Sequence, residues 1–166
     1  MTRLQTLLEA DARYSARLRR AAILLAHSGD SWFWGLGLGL AYWLGDPAWR
    51  PAAVSLFAAI VANALVVQII KRIIKRQRPK GQWGAIYRST DPHSFPSGHA
   101  ARMVMLAALG LAYGPPWLGG LLVIWAPLVA LARVGMGVHY LSDVVVGAAL
   151  GIVFGILWAV FWVVRT

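Results

Sequence analysis

Two residues in the last third of the sequence have the types and spacing for nucleophilic or acid–base chemistry. His139 and Asp143 are four residues apart, so on a helix they share one face, and the carboxylate can accept the imidazole N–H and fix the tautomer. A histidine oriented in this way, with its other nitrogen free, serves as a base or a nucleophile. An ion pair that closes a helix start has the same spacing, and this pair alone does not separate the two interpretations.

Three cationic residues predict an anionic ligand. If Lys71, Arg78 and Arg133 converge on one site, a single nearby aspartate leaves them with a surplus of positive charge, and such a surplus favours an anion. The alternative is a basic cluster beside the membrane that contacts lipid headgroups. Other basic residues of the same stretch are expected to do only that, namely Arg72, Lys75, Arg76 and Lys80.

A third segment supplies groups that bind phosphate. Ser97-Gly98 directly precedes a predicted helix, where backbone N–H groups and the positive end of the helix dipole favour a phosphate group. His99 follows at once. Alone it would be a helix-start residue, but next to a phosphate site it becomes a candidate catalyst.

The composition indicates which elements must position these residues. Of 166 residues, 59% are apolar and 13% charged, whereas a soluble domain is roughly 45–50% apolar and about 25% charged. Residues 51–70, 103–132 and 144–164 contain no Asp, Glu, Lys or Arg, and each run is long enough to cross a bilayer core. The net charge of +10 would suit nucleic acid, but these runs exclude that partner and indicate a polytopic membrane protein.

Helix and turn signals predict a single all-α domain over residues 1–166, with two parts. Residues 1–28 mix leucine and arginine at partly helical spacing and predict an amphipathic helix at the membrane interface, which Ser28-Gly29-Asp30 ends. A tilted span beginning near Arg20 is the alternative. Residues 31–164 are predicted to form a transmembrane core of five helices. These begin at about Ser31, Pro51, Ser97, Trp117 and His139, and the second ends at Pro79-Lys80-Gly81.

Five spans would bring the polar segments together. Alternation places the connection between spans two and three on the same side as the hinge between spans four and five. The cations, the Ser97 segment and the His139–Asp143 pair then meet on one face of the membrane. Ionisable groups near or within spans are costly, which makes these residues candidates for function.

The sequence offers few ligands for a metal ion. It contains no cysteine, and four histidines and six acidic residues are its whole supply of proton carriers. Without thiolates or a carboxylate cluster we expect no metal and no cofactor. The N-terminus lacks the pattern of a removable signal peptide, and the sequence gives no indication of oligomeric state.

Taken together, the three polar segments resemble a known signature. They read Lys71-x6-Arg78-Pro79, then Pro96-Ser97-Gly98-His99, then Arg133-x5-His139-x3-Asp143. In order and at every charged position they are similar to the signature of the type 2 phosphatidic acid phosphatase superfamily. Its membrane members dephosphorylate lipid phosphates, and its soluble relatives include vanadium haloperoxidases. One departure is Ala132, where the family usually has Ser, and this puts one hydrogen bond to phosphate in question.

The resemblance implies a role for each matched residue. His139 would attack phosphorus and form a phosphohistidine, Asp143 would orient it, and His99 would protonate the leaving lipid oxygen and then activate water. The equatorial oxygens would be held by Lys71, Arg78, Ser97, Gly98 and Arg133. Phosphoryl transfer depends mainly on positioning and charge neutralisation, so three cations would take the place that Mg²⁺ fills elsewhere.

The implied substrate is a lipid phosphate, because a phosphate site at headgroup level admits a lipid tail from the bilayer. Resemblance to small bacterial members with an amphipathic N-terminal helix favours a polyprenyl diphosphate such as undecaprenyl pyrophosphate. Phosphatidylglycerol phosphate and phosphatidic acid are the alternatives, and a non-enzymatic transporter of lipid phosphates is the alternative class. Arg102 would contact a second phosphate, lie at the interface, or pair with Asp91.

Charge and resemblance disagree about which side of the cell membrane the site faces. With five spans, only Arg50 and Arg165 of the 16 lysines and arginines fall on the side opposite the site. The positive-inside rule then predicts a cytoplasmic site. Resemblance to undecaprenyl pyrophosphate phosphatases implies a site that faces outward.

Overall fold

Six α-helices dominate the part of the chain that the computed structural model describes, residues 12–80 and 91–165. They are α1 (Ala12–Ser28), α2 (Ser31–Leu44), α3 (Arg50–Ile74), α4 (Gly98–Tyr113), α5 (Pro116–Gly135) and α6 (Leu141–Arg165), with a short 3-10 helix at Pro47–Trp49. No strand occurs in the described ranges, apart from one isolated bridge between Gln77 and His93. The all-α prediction is confirmed. The first eleven residues of the predicted N-terminal helix lie outside the described residues.

Three of the described helical segments are long and apolar enough to cross a membrane: Pro47–Ile74, Pro116–Gly135 and Leu141–Trp162. Many large apolar side chains of these segments point away from the bundle, including Leu65, Ile124 and Leu157, as expected for surfaces in contact with lipid. With 14 and 16 residues, α2 and α4 are shorter than a typical span of about 20 residues. The count of five spans therefore stays a prediction, as does the interfacial position of α1.

Helix α4 lies at the centre of the bundle and packs against α3, α5 and α6. Its Met103, Met105 and Leu109 are fully buried and join Ile60 of α3 and Val129 of α5 in the main apolar core. A central position of this kind fixes the first turn of α4, and with it His99, relative to three other helices.

Helix α6 approaches α4 through glycines. A Cβ atom added at Gly147 or Gly151 would collide with the main chain of α4, at the carbonyl oxygens of Ser97 and Ala101 respectively. Small residues at such positions let helix backbones pack closely in lipid. The close packing allows the Ser97 N–H to donate a hydrogen bond to the Asp143 carbonyl at 2.9 Å, which links the beginnings of α4 and α6.

Helix α3 ends earlier than the sequence predicts. The prediction continued the helix to Pro79, whereas it ends at Ile74, and Lys75 adopts a left-handed conformation with φ 51°. After this turn the Ser94 N–H donates to the Arg76 carbonyl at 2.8 Å. The prediction was wrong because contacts with a distant segment, invisible to a local pattern, stabilise an extended chain here.

The close packing of α6 on α4 leads to a stability prediction. Gly151→Ala should lower the thermal unfolding midpoint in detergent, because the new methyl group collides with the main chain at Ala101 and overpacking costs roughly 1–3 kcal/mol. Gly37→Ala is the matched control. A Cβ there meets nothing within 4 Å, and alanine favours a helix over glycine by about 1 kcal/mol, so its midpoint should hold or rise. Equal midpoints for the two variants would contradict this packing.

Candidate active site

A cavity of about 100 Å³ lies at the end of the bundle where α3 and α5 end and α4 and α6 begin. Five residues of the predicted site line it: Lys71, Gly98, His99, Arg133 and His139. Of the other three, Arg78 and Asp143 lie 3.4 and 3.6 Å from His139, and Ser97 is the fully buried residue before Gly98. The structure therefore brings the three sequence segments to one place.

The His139–Asp143 pair spans the beginning of α6 and does not lie within it. The helix begins at Leu141, so the prediction that both residues share a helical face was wrong. Asp143 Oδ2 accepts the Tyr140 N–H at 2.9 Å and lies 3.6 Å from His139 Nδ1. At the second distance the two side chains are close without a hydrogen bond, and His139 Nδ1 has no hydrogen-bond partner among the described residues. Asp143 thus both caps the helix start and faces the imidazole.

The environment of His139 favours its neutral form. The residue is 2% exposed, and burial lowers the pKa of His139 to about 4, with the positive charges of Arg133 and Arg78 acting in the same direction and Asp143 opposing them. Its Nε2 atom lies 3.4 Å from Arg78 Nη1. A neutral imidazole with its Nε2 atom beside cations has the electronic form that a nucleophile requires.

Arg76 holds Asp143 from the side opposite His139. Its Nη1 atom donates to Asp143 Oδ1 and to the Ser142 hydroxyl, both at 2.7 Å, and its guanidinium lies over the Tyr140 ring, 4.2 Å from the centroid. The prediction that Arg76 only contacts lipid headgroups was wrong, because the early end of α3 directs this side chain toward α6.

Asp91 balances part of the positive charge, which the sequence analysis missed. Its carboxylate accepts hydrogen bonds from Lys71 Nζ and, at 2.8 Å, from Arg78 Nη2. The prediction of one nearby carboxylate, Asp143, was therefore wrong. Cations still exceed acids around the cavity, because Arg102 and Arg133 also line it. The sequence did contain a signal for this role of Asp91. Acidic residues are scarce, and Asp91 is the only acidic residue between Asp46 and Asp143.

Ser97 is fully buried and caps α4. Its hydroxyl oxygen accepts the Ala100 N–H at 3.4 Å, as serine commonly does at this position. The O–H of the same side chain is left to donate. The serine therefore combines a structural contact with a hydroxyl proton next to Gly98, which lines the cavity.

His99 and Arg102 both contact the junction between α1 and α2. His99 Nε2 lies 2.7 Å from Asp30 Oδ1, and Arg102 Nη1 donates to the Gly29 carbonyl. Arg102 is 8% exposed and lines the cavity, and it forms no ion pair with Asp91 in the part of the chain that the structure describes. The sequence analysis interpreted this junction only as a helix break and missed Asp30.

The described residues contain no group of three His, Cys, Asp or Glu side chains that could hold a metal ion. The donors that face the cavity are cations, imidazoles and N–H groups. Such a set binds an anion.

Known proteins share sequence and fold with this chain. The profile described as the PAP2 superfamily matches residues 52–166. The chain is 46% identical over 95 residues to the decaprenylphosphoryl-5-phosphoribose phosphatase of Mycobacterium tuberculosis, which covers 56% of this chain and 51% of that protein. It is 32% identical over 106 residues to the undecaprenyl-diphosphatase of Sulfolobus acidocaldarius, covering 61% and 51%. The chain thus spans about half the length of these curated relatives.

A solved structure shares the fold. It is the first transmembrane PAP2 type phosphatidylglycerolphosphate phosphatase from Bacillus subtilis, with a TM-score of 0.70 and 21% identity, and the match covers 95% of this chain and 90% of that chain. The shared fold and the apolar helices together indicate an integral membrane protein. Because the profile match includes the Lys71, Ser97 and His139 segments and most of the chain, this protein belongs to the PAP2 superfamily.

Proposed function

We propose that the chain hydrolyses a membrane lipid phosphate through a phosphohistidine intermediate, without a metal ion. The observation that carries the proposal is the placement of His139: it is 2% exposed, with Nε2 3.4 Å from Arg78 Nη1 and Nδ1 3.6 Å from Asp143 Oδ2. Burial lowers its pKa and so favours the neutral form. The same cavity is lined by Lys71 and Arg133, cations that would hold the phosphate that His139 attacks.

The reaction proceeds in two steps on this geometry. His139 Nε2 attacks phosphorus, the P–N bond forms, the bond from phosphorus to the lipid oxygen breaks, and that oxygen takes a proton from His99. Water then attacks the phosphohistidine while His99 takes a proton from the water, the P–N bond breaks, and inorganic phosphate leaves. Asp143 stabilises the positive charge that His139 acquires in the first step.

Cations and N–H groups hold the phosphoryl oxygens during both steps. Lys71, Arg78 and Arg133 neutralise the charge, and the Ser97 hydroxyl and the Gly98 N–H add donors. Preorganised donors of this kind, in a site shielded from water, are often the largest contribution to catalysis. They perform here the task that a metal ion performs in other phosphatases.

The substrate we favour is a polyprenyl diphosphate such as undecaprenyl pyrophosphate. The cavity of about 100 Å³ is small beside the roughly 300–1,000 Å³ of a typical ligand pocket, so it would hold phosphate while the tail stays in the bilayer. Relatives named for a diphosphate and for a polyprenyl phosphosugar support a polyprenyl tail. Phosphatidylglycerol phosphate and phosphatidic acid are the alternatives, and the first has support from the name of the solved structure.

A lipid phosphate transporter remains the competing class, because converging cations bind phosphate whether or not it is cleaved. The two histidines that line the cavity, His99 and His139, favour the enzyme, since transport requires no nucleophile and no acid. Release of phosphate by the purified protein separates the classes.

Single substitutions test the roles of these residues. His139→Ala should abolish phosphate release from lipid phosphates, His99→Ala should lower it by about 10²–10⁴-fold, and Asp143→Asn should leave a residual rate because this residue does not react itself. The covalent step is measured by trapping labelled phosphate on the wild type under alkaline conditions. Label that persists on His139→Ala would refute the nucleophile.

Metal independence is the next expectation. Phosphate release should be unchanged in a chelator, and vanadate should inhibit it as a five-coordinate mimic of the transition state. Both effects are measured on the same purified protein in detergent. Activity that is lost in chelator and restored by Mg²⁺ would contradict the mechanism.

We propose that the protein lies in the cell (inner) membrane and that its site faces the cytoplasm, as the positive-inside rule predicts. Lys80 and Ala48 are exposed residues beyond opposite ends of α3, and the native chain has no cysteine. In intact cells a membrane-impermeant thiol reagent should label Ala48→Cys, and should label Lys80→Cys only after permeabilisation. The reverse pattern would place the site on the outside, as the family resemblance implies.

A further inference from the structure

Asp30 lies at the N-cap position of α2 but does not cap the helix. Aspartate at this position usually accepts an N–H of the first turn through its side chain. The Asp30 side chain makes no such hydrogen bond. Its carboxylate instead faces His99, which lines the cavity. Capping of α2 therefore does not explain an aspartate at this position.

Both carboxylate oxygens of Asp30 bind aromatic N–H groups or imidazole nitrogens. Oδ1 lies 2.7 Å from His99 Nε2, while Oδ2 lies 2.8 Å from His27 Nδ1 and 3.1 Å from Trp32 Nε1. The side chain of His27 is 54% exposed and that of His99 is 16% exposed. Asp30, in the connection between α1 and α2, therefore places a carboxylate against His99 at the cavity.

The junction that carries Asp30 is fixed to the bundle. Arg102 donates to the Gly29 carbonyl, Trp125 Nε1 donates to the Ser28 hydroxyl at 2.8 Å, and Trp34 Nε1 donates to the Ser28 carbonyl at 2.8 Å. A Cβ at Gly29 would come within 3.0 Å of the His99 ring. A loop held this closely can set the orientation of a side chain.

Asp30 keeps its negative charge in this position. Burial alone would raise its pKa, but hydrogen bonds from His99 and His27 outweigh burial and hold the pKa of Asp30 well below its usual value. The lowered pKa favours the ionised carboxylate near neutral pH.

We infer that Asp30 is a positioning residue for His99: it holds the Nε2–H, turns Nδ1 toward the substrate, and stabilises the imidazolium form. The inference rests on the proposed function, in which His99 is the acid and then the base. The site then contains two histidine–aspartate pairs, His139 with Asp143 for the nucleophile and His99 with Asp30 for proton transfer. The His99 Nδ1 atom has no hydrogen bond among the described residues, so it is the nitrogen left for the substrate.

A comparison of leaving groups separates positioning of an acid from a structural role. An alkyl phosphate needs its leaving oxygen protonated, whereas p-nitrophenolate leaves without a proton. Loss of Asp30 should therefore slow the attack of His139 on dodecyl phosphate and leave the attack on p-nitrophenyl phosphate nearly unchanged. A general loss of structure would slow both reactions equally.

The experiment measures formation of labelled phosphoenzyme by rapid alkaline quench with both compounds. Asp30→Asn should slow the step with dodecyl phosphate by about 10- to 100-fold, and with p-nitrophenyl phosphate by less than about threefold. Asn is a good N-cap residue, so α2 should persist. Asp30→Glu keeps the charge and should recover part of the rate with dodecyl phosphate.

Two further variants make the outcomes distinguishable. Asp46→Asn is the matched control, because Asp46 caps the 3-10 helix at the other end of α2 and lies outside the cavity lining. It should leave both rates unchanged. His99→Ala should show the same difference between the two compounds as Asp30→Asn. If His99→Ala shows it while Asp30→Asn slows both compounds equally or neither, the inference is overturned and the proposed function stands. Wild-type labelling no greater than that of His139→Ala would refute the proposed function itself.

Discussion

Positive charge is buried at one end of this helix bundle, and the loops around it are arranged to compensate that charge. Lys71, Arg78, Arg102 and Arg133 are each less than a tenth exposed, and a buried ion without partners costs several kcal/mol. Asp91 pairs with the first two, and four main-chain carbonyls accept further hydrogen bonds. Those carbonyls belong to Asp91, His93, Val138 and Gly29. These carbonyls lie in three separate connections between helices. The hydrogen bonds that compensate the buried charge therefore also hold each connection against the bundle.

The close packing of α6 on α4 completes this arrangement. It places the Asp143 carbonyl against the Ser97 N–H, so the beginnings of two helices lie side by side with their positive dipole ends toward the same cavity. The carboxylate of Asp143 then bridges Arg76 and the Tyr140 N–H. A single residue thereby links α3, α4 and α6, and the position of His139 depends on all three.

The sequence was sufficient for the features that depend on local pattern. Apolar runs predicted helices, and alternation of spans predicted that the segments of Lys71, Ser97 and His139 meet at one end of the bundle. The sequence was insufficient where the conformation of a loop determines the direction of a side chain. Arg76 was assigned to lipid contact because the helix was expected to continue past Lys75. Asp30 was interpreted only as part of a helix break, because the local sequence around a turn does not show which distant residue its side chain contacts.

On the proposed function, a substrate phosphate would compete with Asp91 for Lys71 and Arg78. Lys71 and Arg78 are both engaged by its carboxylate, so the cations are held in position before substrate binds. A phosphate group offers more acceptor oxygens and more charge than a carboxylate, which allows it to displace Asp91 from the same donors. After hydrolysis the carboxylate competes with the product for those donors and favours its release. Asp91 lies in the connection between α3 and α4, and its side chain is 30% exposed, which leaves the carboxylate room to move away from these donors.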